Sequence, residues 1–225
     1  QWIESLSRAL EEIENREDVS VIHIRSTQKT FCAGADLKMM RDLLETPQGR
    51  DEMIGEIKKI QAVFARLQQS SAVSIAEIGG AALGGGLEMA LACDLRVAGE
   101  TAKLGLPEAS LGLLPGAGGT QRLPSIAGEA VARRLILGAE IIDGREAARL
   151  GVVHWACPGG ELAAWTETLV ARIGAFPAPA LAACKRCLTA SFDPTQDGFE
   201  LELSETRRLH DLTEVQTRVR AFLQG

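Results

Sequence analysis

Tyrosine is absent from the sequence, and aromatic residues make up only 4% of its 225 positions. So few aromatic rings argue against a surface that stacks nucleic-acid bases. Lysine and arginine together number 24 and the acidic residues 30, which gives a formal net charge of −6. An acidic chain has no overall attraction to nucleic acid or to anionic membranes. We therefore expect neither of these as a partner.

Long hydrophobic runs are absent as well. The most apolar stretch, residues 81–93, contains three consecutive glycines and Glu88, whereas a membrane-spanning helix needs about 20 mostly apolar residues. The first residues already have the apolar spacing of a helix. A signal peptide would require a basic segment followed by an apolar stretch, and the first residues do not show this pattern. We expect a protein that is neither membrane-spanning nor secreted.

Cysteine and histidine are too scattered to suggest a ligand cluster. Five cysteines in a chain of this size do not make a disulfide framework. Cys184 and Cys187 form one C-x-x-C, but inside a predicted helix and without a second pair or a neighbouring histidine. The three histidines lack metal-ligand spacing. We favour two helical thiols over a zinc or redox site, and expect no metal and a reducing compartment.

Strand and helix patterns alternate along most of the chain. Short runs rich in apolar and β-branched residues predict strands at residues 19–24, 73–78, 95–98, 103–106 and 152–157. Apolar residues at helical spacing predict helices at residues 37–44, 53–67, 87–93, 128–137 and 145–150. From residue 160 onward the pattern is helical throughout. The sequence therefore predicts an α/β fold followed by a helical tail.

Three glycines, Gly84 to Gly86, lead directly into the predicted helix that contains Glu88. The first N–H groups of a helix have no intrahelical partner, and glycine lets another group approach the backbone closely. Such a helix start suits an anion, or an oxygen that becomes anionic in a transition state. On spacing alone, Glu88 has two interpretations. It is either an acidic residue that stabilises the helix start by interacting with the helix dipole, or a catalytic carboxylate.

A second carboxylate, Glu108, follows Pro107 at the end of a predicted strand and precedes another glycine-rich segment, residues 112–119. Taken singly, an acidic residue there is more often a solvated loop residue. Glu88 and Glu108 form a general acid/base pair only if the fold brings them together.

Other catalytic motifs are missing. The sequence contains no G-x-x-x-x-G-K-[ST], and neither glycine cluster forms a G-x-G-x-x-G after a strand. These absences argue against a P-loop and against a dinucleotide site. Ser110 lacks the G-x-S-x-G frame of a nucleophile elbow.

Three segments resemble the crotonase, or enoyl-CoA hydratase/isomerase, superfamily in order and spacing. They read FCAGADL at residues 31–37, ALGGGLEMALACD at residues 82–94, and LPE at residues 106–108 followed by GLLPGAGGTQRL at residues 112–123. The resemblance implies a spiral of ββα units, which we assign to residues 1–172. It also implies a C-terminal helical region, residues 173–225, that builds homotrimers or hexamers as dimers of trimers.

The resemblance further implies a site for an acyl-CoA thioester. The backbone N–H groups of Ala35 and Gly85 correspond to the oxyanion hole that binds the thioester oxygen. Glu88 corresponds to the residue that orients and activates water for addition at Cβ, and Glu108 to the one that delivers a proton to Cα. Further positions of the pocket or the CoA contact correspond to Ala33, Ala35, Asp36, Leu37, Leu83, Gly84, Pro107 and Gly116. Coenzyme A enters as part of the substrate, and no separate cofactor is expected.

Both carboxylates favour an enoyl-CoA hydratase over an isomerase, which generally needs one base, near Glu108. An isomerase or another crotonase-like acyl-CoA enzyme stays open, and a non-catalytic binding member is less favoured. The family implies the bacterial cytoplasm or the mitochondrial matrix. Glu77 departs from the family pattern, because it stands in a predicted strand that is usually apolar. We expect it at the surface of the strand end, with a third acid near the pocket as the alternative.

Overall fold

The computed structural model of the chain describes residues 2–14, 16 and 18–224. In the first part the elements are α1 (Trp2–Glu14), β1 (Val21–Arg25), α2 (Leu37–Leu44), α3 (Pro47–Gln69), β2 (Val73–Ile78), β3 (Ala82–Leu83), α4 (Gly85–Ala92), β4 (Leu95–Gly99) and β5 (Lys103–Gly105). A 3-10 helix, Pro107–Leu111, follows. The remaining elements are α5 (Gly119–Ala127), α6 (Glu129–Leu137), β6 (Ile141–Asp143), α7 (Gly144–Arg149), β7 (Trp155–Cys157), α8 (Leu162–Gly174), α9 (Ala178–Ala190), α10 (Gly198–His210) and α11 (Thr213–Gln224).

A four-stranded parallel sheet, in the order β1-β2-β4-β7, forms the centre of the molecule. All six residues of β2 are buried, as expected for a parallel strand with both faces covered. On one face Ile75 packs in a cluster with Leu162 and Leu169 of α8. On the other face Ala76 packs in the main core, which includes Leu87 of α4. The sheet thus separates α8 from α4.

A smaller sheet has the strand order β3-β5-β6. Its strand β3 leads into α4, which contains Glu88, and its strand β5 leads into the 3-10 helix, which contains Glu108. β3 has only two residues and leads into α4 through Gly84, whose φ is 52°. An isolated parallel bridge joins Cys32 to Ala82. Because the N–H of Leu83 donates to the Cys32 carbonyl at 3.0 Å, the loop before α2 is fixed beside the start of α4.

The C-terminal helices pack on the sheet only in part. Lys185 of α9 reaches the core, where its Nζ donates to Asp94 Oδ2 at 2.7 Å and to the Ala72 carbonyl at 2.9 Å. In α10 and α11 none of the described residues is buried. The α/β prediction and the predicted helical tail are confirmed. The division at residues 172 and 173 stays a prediction, and α8 continues to Gly174.

Two local predictions differ from the structure. The predicted strand at residues 152–157 begins only at Trp155, because the N–H groups of Val152 and Val153 donate to the Ala147 carbonyl and close a turn instead. Helix α5 was not predicted, since the glycines before it and Pro124 inside it resemble a loop in sequence. Pro124 is the sixth of the nine residues of this helix, so the hydrogen bond that it cannot donate is an interior one, and the helix forms despite that loss.

The expectation that Glu77 is a surface residue is wrong. Its exposed fraction is 9%, and its Oε2 lies 3.0 Å from Nε2 of His23 on the adjacent strand β1. Side chains alternate along a strand, so Glu77 shares the α8 face of the sheet with Ile75. It therefore lies on the opposite face of the sheet from α4 and Glu88.

Among the residues described, no helix is long and apolar enough to span a membrane.

Candidate active site

Glu88 lies in the first turn of α4, and its exposed fraction is 2%. Its Oε1 accepts hydrogen bonds from the N–H groups of Ala117 and Gly119, each at 2.8 Å. Gly119 is the first residue of α5. The carboxylate is therefore held at the start of a second helix, where two backbone donors and the helix dipole favour its ionised form.

Glu108 lies in the 3-10 helix that follows β5. Its Oε2 is buried and has no hydrogen-bond partner among the described residues. Its Oε1 lies 2.8 Å from the position that a Cβ atom would occupy on Gly84. The corresponding distance from Glu88 Oε2 to a Cβ position on Gly85 is 4.0 Å. The fold therefore brings the two carboxyl groups, which are distant in sequence, to neighbouring glycines.

The two carboxyl groups have different electrostatic surroundings. Burial raises the pKa of Glu108 above its ordinary value, opposed only by its own backbone N–H. Burial also raises the pKa of Glu88, and the neighbouring Glu108 adds to this, but the bonded N–H groups and the Arg122 charge act in the opposite direction. A pair with such unlike surroundings suits one group acting as acid and the other as base.

The two proposed oxyanion donors lie on segments that meet. Gly85 is the first residue of α4, so its N–H has no intrahelical acceptor. A Cβ on Gly34 would lie 2.9 Å from the Leu83 carbonyl oxygen and 3.3 Å from the Gly85 nitrogen. Gly34 also has a φ of 89°, which favours glycine. This close approach brings the segment that contains Ala35 beside the start of α4.

The predicted substrate-binding positions group around the same junction. Three of them, Ala33, Ala35 and Asp36, lie in the loop before α2, and Leu37 is the first residue of that helix. Leu83 ends β3, Gly84 connects β3 to α4, and Pro107 begins the 3-10 helix. Asp36 caps α2, because its Oδ1 accepts the N–H of Lys38 at 2.8 Å and of Met39 at 3.3 Å. The Leu37 side chain is 59% exposed and is therefore free to contact a ligand.

Gly116 lies in the loop that leads to the backbone donors of Glu88. Its carbonyl accepts a hydrogen bond from Gln61 Nε2 of α3 at 2.6 Å. A Cβ at this position would lie 3.5 Å from Ile57 on the same helix. Gly116 therefore connects the site to α3.

The residues that surround Glu88 were not predicted from the sequence. Ala117 and Gly119, which donate to Glu88, and the nearby Arg122 all stand in a segment that resembles the family, but no contact with Glu88 was expected for them. The pair Gly118-Gly119 before a helical segment repeats the arrangement at Gly84 to Gly86. This repetition was the available signal that a second helix start lies at the site.

No group of three or more histidine, cysteine, aspartate or glutamate residues in the described part of the chain could hold a metal ion. Cys184 and Cys187 are both free thiols, and Cys184 is exposed.

Comparison with known proteins identifies the family. Residues 1–224 match the family described as enoyl-CoA hydratase/isomerase. A putative enoyl-CoA hydratase/isomerase of Bacillus subtilis is 35% identical over 234 residues, with 100% of this chain and 88% of the relative covered. The mitochondrial methylglutaconyl-CoA hydratase of Rattus norvegicus is 44% identical over 153 residues, which cover 67% of this chain and 47% of the relative. The chain thus spans about half the length of several curated relatives that it matches.

The fold agrees with the family. The crystal structure of an enoyl-CoA hydratase from Bacillus anthracis matches with a TM-score of 0.90 and 30% identity, over 99% of this chain and 85% of that chain. The α/β core, the C-terminal helices and the glycine-flanked carboxyl groups described above all lie within the matched residues. The chain belongs to the enoyl-CoA hydratase/isomerase family of the crotonase superfamily.

Proposed function

We propose that the chain is an enoyl-CoA hydratase, which adds water across the double bond of a 2-enoyl-CoA thioester to give a 3-hydroxyacyl-CoA. The main support is the position of Glu88 and Glu108 at neighbouring glycines. Glu88 is held by two N–H donors, whereas the buried Oε2 of Glu108 has no partner among the described residues. Hydration needs a group that takes a proton from water and a group that gives one to carbon. The two carboxyl groups supply this pair.

The thioester carbonyl is proposed to accept hydrogen bonds from the N–H groups of Ala35 and Gly85. When water adds at Cβ, negative charge develops on the thioester oxygen as an enolate. Two fixed donors stabilise that charge, and comparable holes contribute about 3–4 kcal/mol per donor to the rate. The close approach of Gly34 to Gly85 supports this placement.

Glu88 is proposed to orient the water and accept its proton as the water oxygen bonds to Cβ. The N–H groups of Ala117 and Gly119 hold Oε1, while Oε2 points toward Gly85. The bonded oxygen fixes the carboxylate plane, and the other oxygen remains available for water. The ionised form that a base requires is favoured by those same donors.

Glu108 is proposed to give its proton to Cα as the enolate collapses to the product. Burial raises the pKa of this carboxyl and so favours the protonated form. After one turnover Glu88 is protonated and Glu108 is ionised, and proton exchange with water restores both. The reverse reaction, dehydration, exchanges the two roles.

An enoyl-CoA isomerase, or another crotonase-like acyl-CoA enzyme, is the second candidate. The observation that favours it is the unpartnered Oε2 of Glu108, since a single base there would suffice to move a proton between carbons. A non-catalytic binding member is less favoured, because a burial-destabilised carboxyl without a partner is costly to keep without a use.

The test is the loss of ultraviolet absorbance of a short 2-enoyl-CoA when enzyme is added, with the Glu108→Gln variant as control. Rapid loss that is absent in the variant is the expected result. No loss with 2-enoyl-CoA, together with turnover of a 3-enoyl-CoA, would instead favour the isomerase. If both substrates stayed unchanged, the catalytic proposal would be contradicted.

We also propose that the protein assembles as a homotrimer or a hexamer, acts without a metal or redox cofactor, and resides in a bacterial cytoplasm or the mitochondrial matrix. Assembly is supported by large apolar side chains of the C-terminal region that are exposed in the single chain. They are Leu188 at 67%, Phe192 at 75%, Phe199 at 82% and Leu203 at 59% exposure. Light scattering after gel filtration measures the mass directly.

A further inference from the structure

Arg122 of α5 contacts the turn that binds Glu88. Its Nη1 donates to the Ala117 carbonyl at 3.0 Å, and its Nε donates to Gln68 Oε1 of α3 at 3.0 Å. The guanidinium lies directly against Gly118, because a Cβ at that position would be 2.0 Å from Nη1. Gly118 has a φ of 110°. A side chain at residue 118 would therefore collide with the arginine and strain the backbone.

Ala117 connects this arginine to the carboxylate. Its N–H donates to Glu88 Oε1 at 2.8 Å, and its carbonyl accepts from Arg122 at 3.0 Å. The N–H and the carbonyl of Ala117 belong to successive peptide groups, so hydrogen bonds on both sides of this residue restrict the rotation of its backbone. The same turn presents the N–H of Gly119 to Glu88 at 2.8 Å. The guanidinium therefore fixes the geometry of both donors without touching Glu88.

Helix α3 supports the turn at two points. Gln68 holds the arginine, and Gln61 donates to the Gly116 carbonyl at 2.6 Å. These glutamines are two helical turns apart and so lie on one face of α3. The helix itself is fixed in the core by Phe64 and Leu67, which are fully buried. The turn at residues 116–119 is thereby tied to a rigid element.

We infer that Arg122, supported by Gln68, is a positioning residue for Glu88, which it orients by fixing the backbone turn at residues 116–119. This inference rests on the proposed function only for the role of Glu88 as the base. The Arg122 charge also lowers the pKa of Glu88. Loss of the arginine should therefore both loosen the carboxylate and raise its pKa, which keeps it protonated to a higher pH.

The test compares Arg122→Met, Arg122→Lys and Gln68→Leu with the wild type. Misplacing a catalytic group by about 1 Å can cost about 10²-fold in rate, so Arg122→Met should lower kcat by up to about that factor with KM nearly unchanged. The acid limb of the pH profile should move to higher pH. Lysine has a single nitrogen, whereas arginine bonds Gln68 and Ala117 through two separate nitrogens of a planar fork, so Arg122→Lys should restore only part of kcat.

Two further variants separate positioning from general damage. Gln68→Leu keeps the arginine charge but removes its support, and should lower kcat with a smaller movement of the acid limb than Arg122→Met. Arg133→Met is the matched control, since Arg133 is an exposed arginine on α6 whose ion pair within the described part of the chain is with the exposed Glu129. It should behave like the wild type. A merely structural role for Arg122 would lower the yield of folded enzyme while leaving the pH profile in place.

A direct titration keeps the inference independent of turnover. The carboxyl carbons of ¹³C-labelled glutamate are followed by NMR against pH, and the Glu88 signal is assigned by its absence in Glu88→Gln. A higher Glu88 pKa in Arg122→Met than in the wild type is expected. If the wild type turned over no enoyl-CoA, the proposed function would fail, while this titration would still test the arginine. An unchanged Glu88 pKa together with wild-type kcat in Arg122→Met would overturn the inference. If Arg122→Met does not fold, Arg122→Lys and Gln68→Leu test the positioning through kcat, since both keep the positive charge, and wild-type kcat in both would overturn the inference.

Discussion

The Glu88 carboxylate accepts the N–H of Gly119, the first residue of α5, at 2.8 Å although Glu88 itself stands in the first turn of α4. Two helix starts therefore meet at one buried oxygen pair. The N–H groups of Ala117 and Gly119 offset part of the cost of burying the charge. The carboxyl of Glu108 has no such donors from other described residues. This difference supports the proposed roles, with Glu88 as the base and Glu108 as the acid.

The first prediction concerns Glu108. Glu108→Gln should lower turnover of a 2-enoyl-CoA by about 10²–10⁴-fold, the usual contribution of a general acid or base, because the amide cannot release a proton to Cα. Binding of the CoA ester should stay nearly unchanged, since the amide has almost the same shape. Steady-state kinetics and calorimetric binding of a saturated acyl-CoA measure the two effects. Wild-type turnover in the variant would refute the acid role.

The second prediction concerns Glu88. In Glu88→Gln the amide oxygen still accepts from Ala117 and Gly119, but the negative charge that takes a proton from water is lost. Hydration of a 2-enoyl-CoA should fall by about 10²–10⁴-fold, and more than any conversion of a 3-enoyl-CoA by the same preparation. The two activities are measured side by side. Equal losses of both would show that Glu88 does not act on water.

The third prediction concerns the oxyanion donor at Gly85. Gly85→Pro removes the backbone N–H at the first position of α4, where proline is otherwise well tolerated in a helix. Turnover should fall by about 10²–10³-fold, as when one donor of an oxyanion hole is removed. Circular dichroism checks that the variant is folded. A folded and fully active Gly85→Pro would exclude this donor.

The fourth prediction tests the contact between Gly84 and Glu108. Gly84→Ala would place a Cβ 2.8 Å from Glu108 Oε1 at a φ of 52°, so it should displace the carboxyl and strain the backbone. We expect a large loss of kcat and a lower free energy of unfolding. Gly55→Ala is the control, because a Cβ on Gly55 of α3 meets no atom within 4 Å. It should leave activity unchanged and stabilise the fold by about 0.4–1 kcal/mol.

The fifth prediction links Glu108 to stability. Its folded pKa is raised by burial, so the unfolded chain releases this proton first as the pH rises. The free energy of unfolding of the wild type should therefore fall as the pH rises from the unfolded value of about 4.3 through the folded pKa. Glu108→Gln lacks this loss and should be more stable than the wild type at pH 8, with the difference disappearing near pH 4. Urea unfolding at both pH values measures it, and a variant that is less stable at pH 8 would contradict the assigned pKa direction.

Much of the fold could be predicted from local patterns. Helix α2 has the predicted bounds, Leu37–Leu44, because Asp36 is a strong helix cap and the apolar spacing is regular. The strand at Val73–Ile78 was also predicted with its bounds, since a short β-branched run needs no long-range information. Helix α5 was not predicted, because glycine and proline lower its local propensity and tertiary contacts must compensate. The burial of Glu77 was not predicted either, because it depends on a tertiary contact. Its partner, His23, lies on another strand.

The sequence by itself determined the residue types of the candidate site and the glycines that let a ligand approach Gly84 and Gly85, because these requirements are local to the backbone. Only the tertiary structure decided that Glu108 lies against Gly84, next to the glycine that Glu88 faces. It also decided that Ala117, in the turn before α5, and Gly119, at the start of α5, supply the donors of Glu88, and that Gln68 of α3 holds Arg122 against this turn. Whether a carboxyl acts as acid or base depends on its burial and its hydrogen-bond donors. Those are set by segments far apart in the chain, so they arise only when the chain is folded.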